Sequence, residues 1–282
     1  GNAAIRQAIL KGEPAMIARF GFGELNATIR YAGMKYGRFN PLGYVFGNSQ
    51  PGWYTNELIE GMPVCNGFFP TTKENLDRFG ELMLRDMLEL DILGVWQKRE
   101  PYFAKELQGV LKVKLSDLEP YFHEDPWSAA LEGKTVLVIH PFDRTIQQQY
   151  KKREWLFEDK KVLPPFELKT IRAVQTLVGQ TAGFASWFHA LEHMQEQIEK
   201  ESFDVAIIGA GAYGFPLAAF IKRIGKISVH LGGASQLLFG IRGKRWEQEK
   251  NNYHIFFNEH WVKPLPEEKP ANAELAEGGS YW

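Results

Sequence analysis

The chain reads as an α/β protein with a mainly parallel sheet between helical layers, and three observations predict it. From Gly133 onward, short β-rich runs alternate with amphipathic helical stretches. The segments joining these runs are long enough to hold the crossover helices that parallel strands require. Several runs also end in Gly-containing turns, where open parallel sheets place their ligand contacts. A helical and loop-rich N-terminal portion (1–125), the β-α core (126–250) and an extended C-terminal tail (251–282) are read as parts of one domain.

Taken in order, Asn2 caps a first helix through about Lys11, which Gly12 stops, and Ala15 to Arg19 is a short buried strand. A second helix starts at Glu24. Residues 36 to 70 are rich in Gly, Pro, Asn and aromatics with little periodicity, the mark of a long loop region of the kind that covers sites. Thr71 and Glu74 form a capping box. Leu76, Phe79, Met83, Met87 and Leu90 follow at helical spacing, so an amphipathic helix is expected to about Leu93. Asp125-Pro126 opens a short helix ending near Gly133. Strands are then expected at Thr135 to His140, Glu167 to Ala173, Asp204 to Ile208 and Ile227 to Leu231. Helices are expected near Thr145 to Phe157, Trp187 to Glu201 and Tyr213 to Ile224.

Hydrophobic residues fill 44% of the 282 positions, enough for one substantial core. Lys and Arg (33) nearly cancel Asp and Glu (34), so no global field draws the chain to nucleic acid or to an anionic membrane. An anion site therefore has to be local. The single cysteine, Cys65, excludes an internal disulfide and fits a reducing, cytoplasmic setting. No run approaches the roughly 20 apolar residues that span a bilayer, and no basic-then-apolar export segment is present.

The strand-tip rule selects four segments: 19–24, 140–145, 209–214 and 231–235. Gly209-Ala210-Gly211-Ala212-Tyr213-Gly214 has G-x-G-x-x-G spacing between a β-rich run and a helix, which suits a phosphate approached by backbone. Packing alone also explains glycines at such a turn, and the next strand offers His230 where a dinucleotide fold expects a carboxylate for the ribose. His140, Arg144 and Thr145 put a cation and a hydroxyl beside a phosphate in one reading; in the other they are a core histidine and a surface turn. Gly232 and Gly233 are a second backbone approach or a tight turn. Lys244, Arg245 and Trp246 form a basic turn able to grip phosphate, or one that is simply solvated. His189, Glu192 and His193 match the H-x-x-E-H zinc spacing, but their helix stripe leaves them on a solvated flank.

Two stretches give the chain a resemblance to the GT-D-type glycosyltransferases, a Rossmann-like group. Ala18-Arg19-Phe20-Gly21-Phe22-Gly23-Glu24-Leu25 is similar to the family's Arg-Phe-Gly-Asp-Gly-Glu turn. Phe203 to Gly233 carries strand, Gly-rich turn, helix, strand and Gly-containing turn in the family's order. Over about Pro126 to Trp282, the GAGAYG, LGGASQLLFGIRGKRW and NEHWV stretches look like an uncharacterised bacterial subgroup of that fold.

The resemblance implies a Rossmann-like three-layer fold and transfer of a sugar from a nucleotide-sugar donor, a UDP-sugar first, to a glycan or protein-glycan acceptor in bacterial glycan synthesis. It implies a divalent cation, Mn or Mg, at Glu24, although Phe22 stands where the family has its aspartate. Arg19, Gly21 and Gly23 would brace the nucleotide with Gly209, Gly211, Tyr213, Gly214, Gly232 and Gly233, aided by His140, Arg144, Thr145, Lys244 and Arg245. Asp143 and Glu259 are the candidate bases. An NAD(P)-dependent oxidoreductase using the GAGAYG turn, and a non-catalytic nucleotide- or glycan-binding protein, are the alternatives.

Overall fold

The computed structural model describes residues 1–46, 51–248, 252–276 and 278–282. Positions 47–50 of the expected loop region, and positions 249–251 and 277 around the expected tail, lie outside the described residues. Seven parallel strands form one sheet: β1 Ala15–Ala18, β2 Ile92–Val95, β3 Leu111–Lys114, β4 Thr135–His140, β5 Glu167–Arg172, β6 Val205–Ile208 and β7 Ile227–His230. Their order is β3-β2-β1-β7-β6-β4-β5. The helices are α1 Asn2–Lys11, α2 Phe22–Tyr36, α3 Pro41–Val45, α4 Asn56–Gly61 and α5 Lys73–Met87, then α6 Asp143–Tyr150, α7 Arg153–Leu156, α8 Trp187–Glu199, α9 Gly214–Arg223 and α10 Ser235–Leu238. None is long and apolar enough to cross a membrane.

Helices cover both faces, so the central strands β1, β6 and β7 are buried along their whole length, as parallel strands between two helical layers must be. One core joins α2, α5, α8 and α9 to the sheet; the other joins α1, α6, α10 and the aromatic C-terminal segment to the opposite face. The stripe of α5 is in the first core: Leu76, Phe79, Met83 and Met87 are fully buried, each contributing on the order of 1.5–3 kcal/mol.

The N-terminal portion departs from expectation, because beside the expected strand at Ala15 it supplies two more, β2 and β3, to the sheet. Helix α5 stops at Met87, capped by Arg85 and Asp86 carbonyls, and Ile92–Val95 turns into β2. The N-cap is Thr72, whose hydroxyl accepts from the Asn75 amide, one residue beyond the expected Thr71. The expected helix over Thr145 to Phe157 is two pieces, α6 and α7, separated at Lys151 and Lys152.

The strand tips diverge where a ligand would need them to. After β1 the chain enters α2 on the first face, through Leu25, Ala27 and Ile29, whereas after β7 it enters α10 on the second, through Leu237 and Leu238. Adjacent strands whose following helices part to opposite faces open a crevice at their carboxyl ends.

Candidate functional site

That crevice is a cleft of about 750 Å³. It brings together Arg19, Gly21, Gly23 and Glu24 from the tip of β1, Gly211 after β6, Gly232 and Gly233 after β7, and Arg245. All were singled out in the sequence. It also gathers residues the sequence reading passed over: Asn26 and Arg30 of α2, Glu57 of α4, Asn66, Trp96, Arg99 and Tyr281.

The turn after β1 is held from the tip of β2. Trp96 donates its indole N–H to the Phe20 carbonyl (2.9 Å), and the Gln97 amide donates to the carbonyls of Phe20 and Gly21 (3.1 Å each). Glu100 fixes that loop by accepting from the Trp96 and Gln97 backbone N–H groups. Arg19 lies with its guanidinium 4.6 Å from the Trp96 ring centre and donates Nε to the Phe20 carbonyl. Its place also depends on Gly232, which has φ +63° and whose hypothetical Cβ would stand 2.7 Å from Arg19 Nη1.

A second pair of cations hangs on Asn26. Arg30 donates Nη1 to the Asn26 carbonyl (3.4 Å), and Arg99 donates Nη1 to the Asn26 side-chain oxygen. Arg245 completes the set, with Nη1 3.3 Å from the Tyr281 hydroxyl and its guanidinium 4.9 Å from that ring's centre. Burial holds the Arg19 pKa below its ordinary value; Glu24 raises it and Arg245 lowers it. Burial likewise lowers Arg30, and the charge of Arg99 adds to the depression. Among the described residues the cleft holds four guanidiniums against two carboxylates, Glu24 and Glu57, leaving it positive.

His230 borders the cleft without adding charge. Its Nδ1 faces the Ile208 carbonyl (3.3 Å), which only accepts, so Nδ1 carries the proton. Burial and Arg19 push its pKa down to about 3. His140 is also neutral, its pKa pushed to about 3 by burial, but its Nδ1 accepts, from the Phe142 N–H (3.0 Å).

The remaining candidates divide in two. His140, Gly209 and Tyr213 line a smaller inner cavity of about 90 Å³, walled by Phe142 and Trp282, which shares Cys65, Asn66, Gly211, Gly233 and Tyr281 with the cleft. Gly209 backs onto Ser235 and His140, and Gly214 onto the His230 ring, so neither position has room for a side chain. Tyr213 stacks on Trp187 at 4.8 Å and shares a hydrogen bond with Thr176.

The others lie outside both cavities. Arg144 and Thr145 do start a helix able to hold an anion, but the anion there is the protein's own. Glu268, from the C-terminal segment, accepts from both backbone N–H groups (2.9 and 3.2 Å) and from the Thr145 hydroxyl. Asp143 faces Arg172 at 3.7 Å. Lys244 donates to the Gly278 carbonyl, and Glu259 is 82% exposed beside His260. His189, Glu192 and His193 are exposed, bonded to Ser186, Arg78 and Gln197 respectively.

The resemblance implies a divalent cation at Glu24. Its Oε2 accepts from the Asn66 amide (3.1 Å), and Phe22, in place of a second carboxylate, projects to solvent with Arg99 5.4 Å from its ring. Among the described residues no three His, Cys, Asp or Glu side chains gather as metal ligands. On the β1 turn Glu24 is a single carboxylate with Arg19 near it, which does not fit a cation held by protein oxygens alone. No family model, curated protein or solved structure matches this chain.

Proposed function

We propose that this chain is a glycosyltransferase of the GT-D type that binds a nucleoside-diphosphate sugar in the cleft and passes the sugar to a hydroxyl of a glycan or glycosylated protein. The observation that carries this reading is the meeting of four arginines with the Gly-containing tips of β1, β6 and β7 in one switch-point crevice. Its volume falls within the roughly 300–1,000 Å³ of small-molecule sites. Arginine pairs with phosphate in two-pronged fashion.

In this reaction the acceptor oxygen bonds to the anomeric carbon while the bond from that carbon to the diphosphate oxygen breaks, its electron pair leaving on the diphosphate. The guanidiniums stabilise the charge that develops there. The acceptor's proton passes to a carboxylate. Asp143 and Glu259 do not line the cleft, and Glu24 is tied to Asn66, so the role goes to Glu57 in the first turn of α4. A UDP-sugar is the first donor to test, as the resemblance implies.

A dinucleotide-dependent oxidoreductase gains less from this geometry. The outer glycines of G-x-G-x-x-G are packed against Ser235, His140 and His230, and β7 ends in a buried neutral histidine where the ribose carboxylate would stand. Thermal-shift measurement separates the two, because a ligand bound only by the folded state raises Tm. Stabilisation by UDP-sugars and none by NADH supports the proposal; the reverse overturns it. Tight binding without any turnover of donor would make the chain a nucleotide-binding protein instead.

A further inference from the structure

The arginines of the cleft fall into two groups with separate anchors. Arg19 and Arg245 belong to the β7 side. Gly232 makes room for Arg19, the Gly233 backbone lies against the Tyr281 ring, and Tyr281 holds Arg245. Arg30 and Arg99 belong to the α2 side, both bonded to Asn26. Each pair unites like charges from segments far apart in the chain, and in each the second guanidinium makes the first easier to deprotonate. Like charges brought together at a partly buried surface repel, a cost that Glu24 near Arg19 and Glu57 near Arg30 offset in part. An anion between them reverses the sign of the interaction.

We infer that Arg19 with Arg245, and Arg30 with Arg99, supply the charge that holds a nucleoside diphosphate, so that the ligand binds without a divalent cation. This rests on the nucleotide reading of the cleft and deepens it. A metal in such a site works by neutralising phosphate oxygens while sitting on one or two carboxylates. Here the neutralising charge is already covalently part of the protein, and Glu24, the one carboxylate on the β1 turn, lies close enough to Arg19 to raise its pKa. A divalent cation would enter a region of positive excess. Phe22, at the position of the missing carboxylate, instead carries Arg99 over its ring.

The test is calorimetric titration of the full chain with UDP, GDP, CDP and ADP, in EDTA and again in manganese. The inference expects at least one to bind with a Kd that agrees within fivefold between the two conditions. It also expects Arg99→Met and Arg245→Met each to weaken that binding at least tenfold in EDTA, with an unchanged circular dichroism spectrum. Binding more than fivefold tighter in manganese overturns the inference while leaving the nucleotide reading in place. Wild-type affinity in either variant also overturns it. If no nucleoside diphosphate binds in either condition, both the inference and the nucleotide reading fall.

Discussion

Arg19 and Gly232 occupy one space: a side chain at 232 would begin 2.7 Å from the Arg19 guanidinium, at a residue whose φ of +63° already favours glycine. Two strand tips thus meet through a cation and a missing Cβ. Gly232→Ala is expected to cost about 1 kcal/mol of stability through the backbone and to displace Arg19, weakening nucleoside-diphosphate affinity at least tenfold. Titration calorimetry with denaturant unfolding checks it. Lost stability with intact affinity would show that Arg19 is not part of the binding surface.

The α6 N-terminus gives a contrasting case. Glu268 is 1% exposed and satisfies the Arg144 and Thr145 amides together with the Thr145 hydroxyl. Removing it with Glu268→Ala leaves buried donors without an acceptor, at a cost of about 2 kcal/mol. Because this carboxylate is outside the cleft, affinity for nucleotide should stay within twofold of wild type. A drop in affinity at unchanged Tm would place the anion site at α6 after all.

Glu57 is assigned the acceptor's proton. Glu57→Gln is expected to lower kcat for sugar transfer by 10²- to 10⁴-fold, the usual range for a general base, while Kd for the nucleoside diphosphate changes less than threefold. Steady-state kinetics beside calorimetry distinguishes this from a binding role, in which Kd would rise and kcat would hold.

The two buried histidines make stability depend on pH. Each is held neutral in the fold, with its pKa pushed from 6.5 to about 3. The unfolded chain therefore takes up protons first as pH falls below about 6.5. The stability these groups contribute is complete above that pH and is lost as pH drops toward 3, at roughly 1.4 kcal/mol per pH unit for each histidine. Burial raises the pKa of Asp86, Glu100 and Glu119, which works in the opposite sense. Comparison with His140→Gln isolates one term: between pH 6 and 4 the variant's urea midpoint should fall less steeply than wild type. Parallel slopes would refute the assignment.

The sheet's second half was legible because β4, β6 and β7 are apolar runs bounded by turn residues and β5 interleaves polar with apolar residues, with amphipathic helices between. β2 escaped because Leu90 and Leu93 continue the helical spacing of α5, so periodicity ran across a real helix end. β3 is an edge strand, Leu-Lys-Val-Lys, with Val113 as its one buried side chain, and it reads as polar. For the site, glycine spacing led to the tips of β1, β6 and β7. In the turn after β6, Gly209 lines the inner cavity and Gly214 lies against the His230 ring, contacts with side chains distant in sequence.

The cations of the α2 side left a fainter signal. Asn26 and Arg30 stand four residues apart on α2, one polar pair on a helix whose turns from Glu24 to Gly33 are buried. Arg99 could be placed only once the strand before it was known. The bond from Glu268 to Thr145 joins residues 123 apart, and no local pattern announces it.

The chain's one cysteine reports on the central claim directly, since Cys65 is exposed and lines both the cleft and the inner cavity. Its alkylation by iodoacetamide can be followed by mass spectrometry with and without millimolar UDP. A nucleotide seated among the strand tips is predicted to slow modification at least tenfold, with half-protection at the calorimetric Kd. An unchanged rate at that concentration would contradict the account.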